Sequence, residues 1–332
     1  MDGSRISWGS GAGVVLPDGR IVFASPAIEG GPQALVYLPT EGTWLHTGAM
    51  PLSVGPAVLL GDHVFSVDVS SEHGRAAILD SSSLEWSPGQ SPRYDHTGAP
   101  LVALDDTRPL LVGYQRDCEL YDLTNGEWSS CGTTALSRYQ STATLLQDGR
   151  VLVAGGGTIA GDGYSSEIYD PVTGTWSLTG RMHYWRNGHA ATLLTDGRVL
   201  VVGGFFEFSS SPAEIFDPNT GRWSVTSSAG VGHLDGTALI TMTDGSVLLA
   251  GGGYEPYGWY TSTSQIFDLD TERWSDSGPM NSNREFAMAA NLPDGGVLLA
   301  GGVSRYDWFC VFDCWYSPVY TSTAEILTSK TL

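Results

Sequence analysis

The chain has 332 residues, 41% apolar and 11% aromatic, enough to bury a large core, while Gly 43 and Pro 17 make it turn-rich without reaching low-complexity composition. A formal charge of −20, from 36 acidic against 16 basic residues, excludes nucleic acid and anionic membrane as partners, since both require a positive face. No run approaches the ~18 apolar residues of a membrane helix and the first ten residues hold no apolar leader, so the expectation is a soluble monomer, cytoplasmic if Met1 is native or secreted if a leader was trimmed.

In chain order, residues 5–8 read first as a solitary β-strand. A phrase then recurs seven times, weakly after Pro17, Gly61 and Asp105 and clearly over residues 147–156, 195–204, 243–252 and 293–302. Each copy is an apolar run, an Asp-Gly type turn and a second apolar run ending in small residues, the pattern of a β-hairpin. These are strands a and b. A second phrase follows, as in Ser166-Glu-Ile-Tyr-Asp170, Ala213-Glu-Ile-Phe-Asp217 and Ser264-Gln-Ile-Phe-Asp268, then a turn and a tryptophan; these are strands c and d. Trp44, Trp86, Trp128, Trp176, Trp223 and Trp274 set repeats of 42, 42, 48, 47 and 51 residues. Four strands at that period predict propeller blades. The last strand c, residues 324–327, has no tryptophan after it, and residues 5–8 have no strand c before them. Pairing the two gives an all-β, seven-bladed β-propeller of four-stranded blades, one domain over residues 1–332, its ring closed without a free edge.

These phrases resemble the Kelch-repeat family, and more closely the bacterial and fungal branch that includes the propellers of galactose oxidase and glyoxal oxidase. Arg138-Tyr-Gln-Ser-Thr-Ala-Thr-Leu-Leu-Gln-Asp-Gly-Arg150 resembles the galactose oxidase stretch whose arginine lies by the substrate. The copper centre of those enzymes needs a cross-linked Cys–Tyr pair and a histidine from a further C-terminal domain. None of the four cysteines here stands at the required position, so the resemblance implies a propeller without the copper-radical site, and no cofactor or metal is expected.

In such a propeller the d–a and b–c connections open on one face around the channel. They carry nearly all the length variation here, which makes that face the candidate site. Ten residues before the Asp of each a–b turn stand Trp8, His96, Arg138, Arg186, Leu234 and Arg284. Two readings of the three arginines remain open: they converge on an anionic ligand, or they belong to the repeat and pair with a neighbouring blade's acid or carbonyls. His46, His96, His183, His189 and His233 are placed in d–a segments or at the entry to strand a, although His189 also suits a structural repeat position. With Asp95, Asp235 and Glu285, the residues His96, His183 and His233 are candidates for acid–base chemistry. Tyr94, Tyr139, Tyr184, Trp185, Asn187 and Phe286 flank them, and Phe206, Tyr257, Trp259 and Trp308 represent aromatic b–c segments in blades 5 to 7 that form a lid or a binding surface, or fold into a small core of their own.

Cys118 and Cys131 fall opposite one another across the c–d turn of blade 3, within disulfide range, and Cys310 and Cys314 could close a small ring. Two such pairs favour an oxidising compartment; four free cysteines are the alternative. Two functions fit. One is a module binding a small molecule or peptide with an anionic and an apolar or aromatic part. The other is a non-redox isomerase, epimerase, cyclase or lyase working through the His and carboxylate side chains. A surface protein without a small ligand is a third reading.

Overall fold

The computed structural model describes residues 13–28, 31–51, 55–69, 74–157, 163–204, 212–229, 236–254, 259–310, 314–320 and 323–327, and of residues 24–33, 254, 259 and 305–322 only the main chain. They form a seven-bladed all-β propeller. Strand a of each blade lies innermost: Val14–Val15, Ala57–Leu60, Leu101–Ala103, Thr142–Leu145, Ala190–Leu193, Ala238–Thr241 and Met288–Asn291 in blades 1 to 7. Strands b, c and d follow outwards, antiparallel, as Val151–Ala154, Ser166–Asp170 and Thr175–Leu178 in blade 4. Blade 7 shows three strands, Met288–Asn291, Val297–Ala300 and Ala324–Leu327; residues 5–8, expected as its fourth, lie outside the described residues. Closure is nonetheless visible at the channel, where the Gly13 amide of blade 1 donates to the Ala289 carbonyl of blade 7 at 2.9 Å.

The tight a–b turns of blades 1, 4 and 5 follow from their Asp-Gly-Arg sequence. Asp148 Oδ1 accepts the Arg150 amide while its Oδ2 accepts Arg150 Nε at 2.8 Å, and Gly149 takes φ +85°, a conformation side chains resist. Blade 2 turns differently: Leu60 pairs directly with His63 across Gly61 and Asp62, which is why its phrase is degenerate in sequence.

Because every blade is a sheet with two apolar faces, the core is divided among the gaps between blades. Leu152, Val199, Val201 and Phe216, for example, pack between blades 4 and 5, and Ile21, Phe23, Ala290 and Leu298 close blade 7 on blade 1. Five of the six repeat tryptophans pair with an aromatic ring of strand c, as Tyr169 with Trp176 at 5.0 Å between centroids, while Trp86 stands opposite Leu79. In blades 2 to 6 the indole N–H reaches back to the preceding blade: Trp86 to Thr47 Oγ1, Trp128 to Gln90 O, Trp176 to Cys131 O, Trp223 to Gly180 O and Trp274 to Ser227 O, at 2.8–3.1 Å.

Candidate functional site

The d–a and b–c face is organised by one recurring device, a carboxylate clip. In blade 4, Glu167 of strand c accepts Arg138 Nε at 3.2 Å and Nη2 at 2.7 Å, and its other oxygen accepts the Ala135 amide at 2.7 Å. Arg138 Nη1 also donates to Gly155 O and Ser165 O. In blade 5, Glu214 holds Arg186 and the amides of His183 and Tyr184. In blade 7, Glu325 holds Arg284 Nε at 2.7 Å and the Asn281 amide at 2.8 Å. Blade 3 replaces the arginine by His96, whose Nε2 donates to Glu119 Oε2 at 2.7 Å, with the Arg93 amide on the same oxygen. One buried carboxylate thus ties the d–a loop, the end of strand b and the start of strand c of its own blade.

This settles where the three arginines lie. Arg138 and Arg186 are 0% exposed and Arg284 is 1%, each paired within its blade, so their forks are not offered on the face to an anion. The alternative reading is corrected in one respect: the acid and carbonyls are the same blade's, not a neighbour's, because the d–a loop folds back over its own strand c. Burial pulls the Arg186 guanidinium below its ordinary value, and Glu214 opposes that shift. The glutamates were not singled out in the sequence, yet a signal was there. Blades with Arg or His ten residues before the turn Asp carry Glu in the strand c phrase, whereas Trp8 goes with Leu35 and Leu234 with Gln265.

Other candidates separate. Asp95 caps its own turn, Oδ1 accepting Thr97 N at 2.8 Å and Oγ1 at 2.6 Å. Glu285 is 1% exposed, and its main chain bridges to Val303. His189 is buried, with Nε2 at 2.9 Å from Thr142 Oγ1; burial and then the charges of Arg186 and Arg138 hold it down at about 3, so its ring is neutral. His46 lies in strand d of blade 1, Thr43–Ala49, rather than at a loop. His183 stays outside, its side chain 54% exposed, with Nδ1 donating to Glu214 Oε1 at 2.9 Å. It occupies the slot Asn281 fills in blade 7, where Asn281 Nδ2 reaches Glu325.

Aromatic candidates surround these residues. Tyr94 is exposed, and Tyr184, Trp185, Tyr139 and Phe286 are half-buried. Tyr139 meets Tyr114 edge-on at 5.7 Å, and Tyr184 lies 5.9 Å from the Arg186 guanidinium. The segment of blade 7 read as a variable loop is a β-hairpin, Val303–Cys310 with Cys314–Tyr320, whose register sets Trp308 opposite Tyr316, Phe309 opposite Trp315 and Cys310 opposite Cys314. In blade 6 Tyr254 pairs with Trp259. Trp8, Phe206, Tyr257, His233 and Asp235 lie outside the described residues. Cys118 and Cys131 are bonded, with Cα atoms 5.1 Å apart.

Residues 186–230, covering blade 5, match the Kelch motif. No curated protein matches the chain in sequence. Among solved structures, "Structure of YjhT" is similar in fold with a TM-score of 0.60 at 13% identity, over 85% of this chain and 99% of that one. The chain is thus a seven-bladed β-propeller whose fifth blade matches the Kelch motif, and the clip, double glycine and tryptophan of that blade recur in other blades.

Proposed function

We infer that this propeller is a binding module whose d–a and b–c face takes a small molecule or peptide with an apolar or aromatic part. The observation that carries this reading is the blade 7 hairpin. A b–c connection that blade 3 makes between Val112 and Asp117 becomes there a two-stranded extension rich in Trp, Tyr and Phe. The clip arginines have no part in it. Selection from a random heptamer library tests the reading: the wild type enriches aromatic peptides, and a variant with residues 305–319 replaced by Asn-Gly does not. Equal enrichment on both proteins refutes it.

A second reading, a non-redox enzyme, has one observation in its favour. Glu214 orients His183 through Nδ1 and leaves the other ring nitrogen on the exposed side, an arrangement suited to proton transfer. Calorimetry with a compound library separates the two. A binder gives heat that stops at saturation; an enzyme gives sustained heat that is lost in His183→Gln.

A further inference from the structure

Among the described residues five that are not glycine have positive φ: Leu84, Arg116, Gln140, Glu272 and Phe286, between 52° and 77°. Side chains are held in this region against local steric strain, so each calls for a compensating use. Four show one inside the chain. Leu84 packs into the core between blades 1 and 2, and Arg116 Nε donates to Thr134 O at 2.7 Å. Glu272 accepts Arg198 Nη1 at 2.6 Å, and the Phe286 ring covers Gly236, where a Cβ would come within 2.6 Å of it.

Gln140 differs: its half-buried amide makes no hydrogen bond with any described residue. Its place is the inner rim of the candidate face, two residues before strand a of blade 4. Equivalent positions are Gly98, Gly188 and Gly236 in blades 3, 5 and 6, at φ 68°, 70° and 60°, and Phe286 in blade 7, at 58°. The main chain imposes that conformation by rungs running from blade to blade, Gln140 N to Gly98 O at 3.1 Å and Gly188 N to Gln140 O at 3.0 Å. Glycine would satisfy the rungs without strain, yet blade 4 keeps an amide side chain there, next in sequence to Tyr139, whose ring meets that of Tyr114.

We propose that Gln140 is a ligand-contact residue of this face, its amide pairing with a peptide amide of the ligand while Tyr139 and Tyr114 receive an adjoining aromatic side chain. The assignment rests on the binding reading above and narrows it to a peptide carrying an aromatic residue. An amide both donates and accepts, which matches it to another amide rather than to a carboxylate or an ammonium.

The test uses N-acetyl-L-tryptophanamide, titrated into the full chain and followed by saturation-transfer NMR, with melting temperatures measured on the same samples. Gln140→Gly is expected to weaken this probe about fivefold, the scale of one net hydrogen bond, with the melting temperature unchanged or raised. Unchanged affinity in Gln140→Gly overturns the proposal. So does a fall in melting temperature, which assigns the amide to a partner within the chain, and so does a wild type that fails to bind the probe. The variant lacking residues 305–319 separates the two readings. If it binds the probe normally while Gln140→Gly does not, Gln140 stands and the hairpin reading fails; the reverse pattern overturns Gln140 alone.

Discussion

Breaking the clip of blade 5 should cost far more than its two side chains are worth together. Glu214→Gln keeps the shape of the side chain but leaves Arg186, 0% exposed, with a buried charge and only carbonyl partners such as Gly203 O at 2.8 Å. Stranding one ion of a buried pair costs about 3–5 kcal/mol. With an unfolding entropy of ~2.1 cal/mol/K per residue, and all 332 residues melting together, that lowers the melting temperature by roughly 4–7 °C. Arg186→Leu should also destabilise, because Glu214 then keeps its charge with only the His183 and Tyr184 contacts. The double variant Arg186→Leu with Glu214→Gln places in blade 5 the pair that blade 6 carries at this register, Leu234 and Gln265. It should melt within about 2 °C of the wild type, a strong coupling between the two sites. Calorimetric melts of the four proteins complete the cycle. Single variants that melt like the wild type, or a double variant whose loss is the sum of the singles, would show that the pair is not an isolated buried unit.

Two further outcomes can be measured directly. His189 is held near 3 against 6.5 for a free ring, so the unfolded chain takes up a proton first; its stabilising effect is complete above pH 6.5 and declines as pH falls towards 3. At about 1.4 kcal/mol per pH unit, roughly 2 kcal/mol should disappear between pH 6.5 and 5, and His189→Gln, tested by denaturant midpoints at both pH values, should lack that component; an identical pH profile contradicts the assignment. Replacing Cys118 and Cys131 by serine opens a loop of sequence separation 13 and should lower stability by about 3 kcal/mol, read as a drop in melting temperature that the wild type reproduces only after reduction; no difference between oxidised and reduced wild type argues against the bond.

The blades were readable because the Asp-Gly turn and the strand c phrase are local, a few residues each, and recur in phase. Blade 2 escaped alignment for a physical reason: its a–b turn closes over Gly61 and Asp62 alone and so lacks the longer phrase. At the site, the positions of Arg138, Arg186 and Arg284 were legible but their direction was not. Each is decided by a glutamate 29, 28 or 41 residues further on, and only folding of strand c beneath the d–a loop brings the two together. The aromatic hairpin was read as a loop since the adjacent pairs Trp308-Phe309 and Trp315-Tyr316 interrupt any alternation of period 2. Gln140 carries no mark in sequence at all; its φ depends on rungs from blades 3 and 5.

The five indole bonds of Trp86, Trp128, Trp176, Trp223 and Trp274 point the same way around the ring, from each of blades 2 to 6 to the one before it. A blade therefore carries both the donor for its predecessor and the acceptor for its successor, so a duplicated copy would arrive with its own fastening at each side. Growth or loss of whole blades by tandem duplication needs no new complementary pair to arise at an internal junction. The exception is the junction between blades 7 and 1, joined by the Gly13 to Ala289 bond and the Phe23 core, where contacts must be matched between distant parts of the chain.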